Sequence, residues 1–471
     1  MKSAGVASPF ADSVKKQRAE NSDLFNMHNT EIVYQKNVAV IGLGYVGLPL
    51  AVQAAERGHK VIGIDLHNDL VTSVNARQSP FANDERFENA LASLSKESLK
   101  ATTNFSAIQA ADIVIICVPT PTLNNTPDLS YVLTAAEQVA ANITPGQLII
   151  LESTVNPGVT KKDLLPMIEK LSGLKVGSDF FLAHCPERID PGNKTFFVGN
   201  LNRVVGGITK QCTEKAVEFY SEIIDAQIIP LGSSEEAEFV KSWENTHRNV
   251  MIALANQAAI ISDSLGMDIN NILVGLQSKV DQFGLRLASP GIGPGGHCIP
   301  EDIHYVIRES RLHGLDTRFL DSSADLNDSM HQYALHEFEK MLGRDGHLLG
   351  DMTVGLLGLA YKENIEDARR SPALQIAEKL SLKAKKLLIH DPLVSSRVSQ
   401  KVKLSSRVDQ LFTVLKKSDA LFVATAHDEY LKYLTAENLS TFGVKYVYDG
   451  RNCLDKDAIA AAGISYKGVG R

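Results

Sequence analysis

The strongest constraint on this chain is a theme that occurs twice. A short, wholly apolar run empties into a glycine turn, and a second such run further on ends on an acid. The first copy opens with Asn37-Val-Ala-Val-Ile-Gly-Leu-Gly-Tyr-Val-Gly, passes through a helical Leu50-Ala-Val-Gln-Ala-Ala-Glu, and continues with His59-Lys-Val-Ile-Gly-Ile-Asp65. Further apolar runs follow at Ala111–Pro119 and Gln147–Glu152. The second copy opens with Thr353-Val-Gly-Leu-Leu-Gly-Leu-Ala, and Lys386-Leu-Leu-Ile-His-Asp391, Ala420–Thr425 and Lys445–Asp449 follow. Strands that are apolar at every position need cover on both faces, so runs alternating with helical segments predict parallel sheets wrapped by helices.

The two copies flank a different kind of sequence. From Ser233 to Leu265 there is no proline, glycine returns only at Gly266, and Ala237, Val240, Val250, Ile252, Ala253 and Ile260 supply apolar positions. A helix of that length with residual apolar faces suits a domain connector or a subunit interface. The expected class is therefore α/β: two Rossmann-like doubly wound domains joined by a central helical domain. The expected boundaries are a tail over 1–35, a dinucleotide-binding domain over 36–230, a central helical domain over 231–335 and a second Rossmann-like domain over 336–471. Each α/β domain places its ligand at the carboxyl ends of its strands.

With 471 residues, 44% hydrophobic and 22% charged, the chain has ample material for several cores. Its formal net charge of -7 provides no basic field for nucleic acid or an anionic membrane. No apolar run reaches the length of a bilayer span, and the N-terminus lacks the apolar core of a secretion signal. The five cysteines, Cys117, Cys185, Cys212, Cys298 and Cys453, are odd in number and widely spaced, which fits a reducing cytoplasm rather than a disulfide framework.

The first copy carries a cofactor signature. Gly42, Gly44 and Gly47 form G-x-G-x-x-G directly after the first strand. The first glycine permits a tight turn, the second lets backbone approach a pyrophosphate, and the third lets helix and strand pack closely. Asp65, at the end of the second strand, is placed to accept hydrogen bonds from ribose hydroxyls and to repel a 2′-phosphate, so NAD is expected over NADP.

Pro290-Gly-Ile-Gly-Pro-Gly-Gly-His-Cys-Ile-Pro-Glu-Asp302 is the most unusual stretch. A lone cysteine is usually a small buried apolar residue, as expected for Cys117 inside its strand. Cys298 differs, because glycines precede it, His297 adjoins it and Asp302 follows. Such a loop is expected to leave backbone N–H groups open to a substrate or anion and to present the thiol as a nucleophile. No second ligand pair stands at zinc spacing, so no metal is expected.

Together these segments resemble the UDP-glucose / UDP-N-acetylhexosamine 6-dehydrogenase family over about Asn37 to Arg451. The resemblance rests on Gly42-Leu-Gly-Tyr-Val-Gly-Leu-Pro, Val118-Pro-Thr-Pro121, Glu152-Ser-Thr-Val-Asn-Pro-Gly158, Cys185-Pro-Glu-Arg-Ile-Asp-Pro-Gly192, Lys241-Ser-Trp-Glu-Asn245, Gly295-Gly-His-Cys298 and Ala360-Tyr-Lys-Glu-Asn-Ile-Glu-Asp-Ala-Arg-Arg-Ser-Pro372. It implies a four-electron, NAD-dependent oxidation of the C6 alcohol of a UDP-sugar to a carboxylate, through a thiohemiacetal and a thioester on Cys298. It implies that Lys241 stabilises negative charge on oxygen, that Asn245 holds substrate and water, and that Asp302 orients lysine and water. Glu187 serves thioester hydrolysis and Thr154 positions water. On the cofactor side it implies Gly42, Gly44, Tyr45, Val46, Gly47, Asp65, Thr120 and Arg369. For the UDP-sugar it implies Arg188, Lys362, Gly295 and, across a homodimer, Arg286. The Cys185-Pro-Glu-Arg and His-Cys-Ile-Pro patterns look more like the N-acetylhexosamine branch (UDP-GlcNAc or UDP-ManNAc), whose uronates feed polysaccharide or lipopolysaccharide assembly.

The chain departs from the family pattern at Ile292 and Pro294, and at Glu301 and Ile303 where valine and proline are usual. An extra carboxylate at Glu301 either raises the cysteine pKa or points away. Three rivals stay open: a UDP-glucose enzyme, a two-electron hydroxyacid dehydrogenase needing no cysteine, and a catalytically dead nucleotide-sugar sensor.

Overall fold

The computed structural model describes residues 35–81, 85–123, 126–189, 195–283, 287–296, 298–394 and 410–471. All but the last residue of the tail expected over 1–35 lies outside them.

The first glycine theme opens an eight-stranded sheet. Its strands are β1 (Asn37–Ile41), β2 (Lys60–Ile64), β3 (Leu99–Thr102), β4 (Ile113–Ile116), β5 (Leu148–Leu151), β6 (Phe181–His184), β7 (Arg203–Gly207) and β8 (Ile228–Pro230). They lie in the order β8-β7-β6-β5-β4-β1-β2-β3. All pairings are parallel except β6 with β7, where Ala183 faces Gly207. Along β1, Val38 and Val40 enter one core and Ala39 and Ile41 the other, which is why the run is apolar throughout. The chain order reverses between β1 and β4, and that switch point opens a crevice at the strands' carboxyl ends.

The second theme builds a five-stranded parallel sheet from β9 (Thr353–Leu357), β10 (Lys386–His390), β11 (Ala420–Val423), β12 (Tyr446–Asp449) and β13 (Ser465–Gly468), ordered β10-β9-β11-β12-β13. Periodicity alone predicts four strands in each half; β3, β6, β7, β8 and β13 are added by the structure. Strands such as Leu99-Lys-Ala-Thr102 and Ser465-Tyr-Lys-Gly468 were hidden because they hold no continuous apolar run.

Four helices position the site: α1 (Gly47–Glu56), α2 (Ser234–Leu265), α3 (Ile299–Leu312) and α4 (Arg318–Arg344). The hydroxyl of Ser233 caps α2 by accepting from Glu236 N, acids occupy its first turn, and Gly266 ends it at φ +67°. Such a cap contributes about 1 kcal/mol. α4 runs unbroken through the division expected at residue 335. Its Met330, Ala334, Phe338 and Met341 pack with Ile292, Val354, Leu356, Phe422 and Tyr448, so a central helix covers one face of the second sheet. Phe338 is fully buried and meets Phe422 edge-on at 5.5 Å, and truncating such a ring costs about 3–5 kcal/mol. Among the described residues no helix is long and apolar enough to cross a membrane. All five cysteines are free thiols.

Candidate active site

The glycine turn sits at the switch point, where Gly42 N donates to Ile64 O across 2.8 Å. The three glycines divide the labour. A Cβ on Gly42, at φ +91°, would lie 2.7 Å from Cys117 O, and one on Gly47 would lie 1.9 Å from Gly42 O. A Cβ on Gly44 meets nothing within 4 Å. Gly42 and Gly47 are therefore required by the protein, whereas Gly44 faces space that a ligand backbone can fill. No side chain caps α1, although the Leu48 N–H donates to Gly44 O at 3.2 Å, and the end of the helix is open to an anion. The cradle fits a dinucleotide pyrophosphate. Val46 packs against the core, while Tyr45 is half exposed and stacks on Phe81 at 4.4 Å.

Asp65 lies just past β2, as expected, but is already engaged. Its Oδ2 accepts from Leu43 N at 2.8 Å and its Oδ1 from His67 N at 2.9 Å. Each oxygen keeps a lone pair for a ribose hydroxyl, and the half-buried carboxylate stiffens the turn that receives the phosphates. The equivalent acid of the second half, Asp391, accepts from the N–H groups of Leu359, Ala360, Leu393 and Val394 and faces His427 at 3.3 Å. Despite its burial, His427 first and then those backbone donors hold its carboxyl well below the usual range. Asp391 is fully spent inside the protein, so the second half does not repeat the first as a dinucleotide site.

The cysteine stands between the halves. Cys298 precedes α3 and is half-buried. Lys241 and Asn245, one turn apart on α2, are buried beneath it, and Asn245 Nδ2 donates to Asp302 Oδ2 at 2.6 Å. Lys241 Nζ lies 4.0 Å from Glu187 Oε2, on the loop after β6. Burial, then Asp302 and Glu187, push the Cys298 thiol up to about 12, while Lys241 and Arg369 pull the other way. Burial likewise lifts Asp302 to about 7 against the opposing pull of Lys241 and Asn245. The arrangement therefore holds a neutral thiol beside a cation and a carboxylate able to take a proton near neutrality.

The remaining expected residues fall nearby in differing ways. Half-buried Thr154 follows β5, on a segment whose Gly158 and Thr160 N–H groups donate to buried Glu238 of α2. Thr120 O accepts from Tyr305 OH of α3 at 3.0 Å, tying the cysteine helix to the cofactor domain. Arg369 forks onto Asp367 and, with Glu366 and Asp367, acts electrostatically on Tyr45. The glycine turn and the 361–370 segment thus face each other across the cleft. Lys362 is half-buried on that segment. Arg188 is paired with Glu244 and donates to Asn202 O, so much of its guanidinium is spent on protein. Arg286 and His297 lie outside the described residues.

The glycine loop before Cys298 is more closely packed than its sequence suggests. A Cβ on Gly293 would lie 2.7 Å from Asn327 O, and one on Gly295 2.5 Å from the Tyr361 Cβ. Gly296 N donates to Arg369 O at 3.0 Å. Gly293 lets the loop pack against α4, and Gly295 and Gly296 let it pack against Tyr361 of the C-terminal half.

Sequence reasoning also missed an amide chain that fastens the loop. Asn249 Nδ2 donates to Ile299 O, Asn327 Nδ2 to Asn249, and Asn256 Nδ2 to Asn327 Oδ1, while Gly291 N donates to Asn256 Oδ1. The signal was present, since Asn245, Asn249 and Asn256 recur on one face of an otherwise partly apolar helix.

A dinucleotide cradle facing a second Rossmann-like half, with a buried thiol site between them, defines a nucleotide-dependent oxidoreductase. The chain belongs to the UDP-glucose/GDP-mannose dehydrogenase family, whose NAD-binding domain matches residues 36–224, central domain 235–329 and UDP-binding domain 355–456. It is 31% identical over 435 residues to the UDP-N-acetyl-D-mannosamine dehydrogenase of Pyrococcus horikoshii, covering 92% of this chain and 99% of that protein. The structure of that dehydrogenase superposes with a TM-score of 0.83, at 30% identity over 92% of this chain and 99% of that one. The UDP-N-acetyl-D-glucosamine 6-dehydrogenase of Pseudomonas aeruginosa is 34% identical over 425 residues, 89% of this chain and 97% of its own length. The NDP-N-acetyl-D-galactosaminuronic acid dehydrogenase of Methanosarcina mazei superposes with a TM-score of 0.81, at 29% identity over 97% of this chain and 98% of that one. This is an NAD-dependent nucleotide-sugar dehydrogenase.

Proposed function

We propose that this enzyme oxidises the C6 alcohol of a UDP-N-acetylhexosamine, UDP-GlcNAc or UDP-ManNAc, to the uronate through covalent intermediates on Cys298. The observation that carries the reading is the convergence of Cys298 with Lys241, Asn245 and Asp302 between the two nucleotide-binding halves. Bound NAD, held by Gly42, Gly44, Gly47 and Asp65 with Tyr45, Val46, Thr120 and Arg369 around it, supplies the hydride acceptor for each two-electron oxidation.

The protein's part is proton and charge management. In the first oxidation the C6 hydroxyl loses a proton as the C–H bond gives up its hydride, and buried Lys241 stabilises the developing alkoxide. The Cys298 sulfur then adds to the aldehyde carbon, and its proton passes by way of Asp302 to the carbonyl oxygen, to give a thiohemiacetal. Loss of a second hydride and a proton leaves a thioester. Water, held by Asn245 and Thr154 and deprotonated with help from Glu187, cleaves the C–S bond. The carboxylate leaves and the thiol is regenerated. The covalent link retains the aldehyde and turns one difficult oxidation into feasible steps. Arg188 and Lys362 are the candidate UDP-sugar contacts.

The N-acetylhexosamine assignment rests on the sequence patterns and on the names of the similar proteins, and the expected consumer of the uronate is surface polysaccharide assembly in the cytoplasm. A homodimer is part of the reading. Phe239, Trp243, Leu254, Ile261 and Leu265 form an exposed apolar stripe along α2, opposite the face that carries Lys241 and Asn245.

The test is a panel of UDP-glucose, UDP-GlcNAc, UDP-ManNAc and UDP-GalNAc with NADH counted per sugar. Two NADH per N-acetylhexosamine are expected. One NADH, binding without NADH, or UDP-glucose as the preferred substrate each sinks it. Cys298→Ser is expected to lose uronate formation by about a thousandfold or more, and an unchanged rate would rule the covalent route out.

A further inference from the structure

Glu301 is the departure that most threatens a reactive thiol, because it adds a carboxylate on the first turn of α3, directly after Cys298. Its side chain is only 8% exposed, and its backbone N donates to Cys298 O at 3.1 Å. The carboxylate meets Arg370 of the C-terminal half, whose Nε lies 2.7 Å from Oε1. Arg370 reaches it from a left-handed backbone, φ +48°, that non-glycine residues seldom adopt. The pair closes a seam already made by the Gly296–Arg369 hydrogen bond and the packing of Gly295 and Gly296 on Tyr361.

We propose that Arg370 is a positioning residue for the nucleophile: it anchors and neutralises Glu301, so that Cys298 is presented without a second uncompensated carboxylate on its own helical turn. This deepens the covalent reading and rests on it. The charges acting on Cys298 are Asp302 on its own helix, Lys241 from α2, Glu187 from the loop after β6 and Arg369 from the C-terminal half, while Glu301 stands on the same helical turn and acts on Asp302 and Tyr305. Those facing Arg370 include Glu301 and His304 on α3 and Asp328 on α4. Asp302 already opposes ionisation of the thiol, and an unmatched Glu301 would set a second carboxylate on that turn.

The experiment is alkylation of Cys298 by iodoacetamide in the full-length protein, followed by mass spectrometry, with Cys298→Ser as background. At about pH 8.5, below the thiol's midpoint, the rate scales with the thiolate fraction. Arg370→Met is expected to slow alkylation about 3- to 10-fold, a rise of about half to one pH unit. Arg370→Lys keeps the charge and should hold most of the rate. Glu301→Gln combined with Arg370→Met should return it to the parent value. Equal slowing in Arg370→Met and in the double variant, or no slowing in Arg370→Met, overturns the proposal. Should Arg370→Met fail to fold, Glu301→Arg alone must speed alkylation and Glu301→Arg with Arg370→Glu must restore the parent rate; an unchanged rate in the former overturns it. Alkylation reads the thiol whether or not it forms a thioester. Persistent uronate formation by Cys298→Ser would therefore sink the catalytic reading separately.

Discussion

Asp302 concentrates the competing demands of the site. It is 3% exposed, and burial raises it to about 7, so its ionised form is costly to the fold yet useful as a proton acceptor. The activity should therefore fall as pH drops below about 7. Asp302→Asn should remove that limb of the kcat/KM profile and lower kcat by about 10²- to 10⁴-fold. The stability effect has the opposite sense. Between the unfolded value near 4 and the folded value, the native state binds a proton that the unfolded chain does not, so stability declines as pH rises across that window. Melting curves should show Asp302→Asn close to parent near pH 4 and more stable at pH 8; a variant less stable at pH 8 would contradict the assignment. Roles at this scale were only partly legible. Cys298 and Asp302 were marked together by their motif, but their contact with Lys241 and Asn245 depends on a helix far earlier in the chain. The pairing of Arg188 with Glu244 was likewise not legible, because the two stand on separate segments.

The turn between β1 and α1 shows how one motif serves both fold and ligand. Gly47→Ala drives a methyl into the Gly42 carbonyl and should prevent the first domain from folding, seen as loss of soluble protein or of the thermal transition. Gly44→Ala meets no protein atom. It should keep the parent Tm while raising the KM for NAD about tenfold or more, because the added methyl occupies the pyrophosphate's approach. Parent NAD affinity in Gly44→Ala would remove the cradle assignment. The contrast was legible, since the spacing gave Gly42 the tight turn, Gly44 the ligand's approach and Gly47 the close packing, as the structure has them. The glycines before Cys298 carried the same composition with the opposite use, their space being filled by Tyr361 and Asn327.

At the scale of the molecule, α2 has two working faces. One buries Lys241, Asn245, Asn249 and Asn256 against the site, and the other leaves Leu254 and Ile261 exposed. Leu254→Glu with Ile261→Glu should turn a dimer into a monomer by light scattering, without loss of fold. A parent chain that is already monomeric would end the dimer reading. The end of the chain returns to this helix. Lys467 pairs with Asp263, and Arg471 with Asp268 just beyond it, which fixes the second sheet to the central helices. The site between the halves therefore depends on packing distributed over the whole chain.

What the sequence determined by itself was whatever lies in short-range pattern: apolar strands, the glycine spacing, the capped length of α2, and motifs dense enough to reveal the family. These follow from local sterics and from the need to cover both faces of a parallel sheet. The tertiary structure decided how charges are shared. It gave Asp391 to backbone donors and Glu301 to Arg370, and it brought Lys241 and Asn245 of α2 to Cys298 and Asp302. The reason is physical: a buried charge is set by partners that arrive from other segments, and no local pattern names those partners.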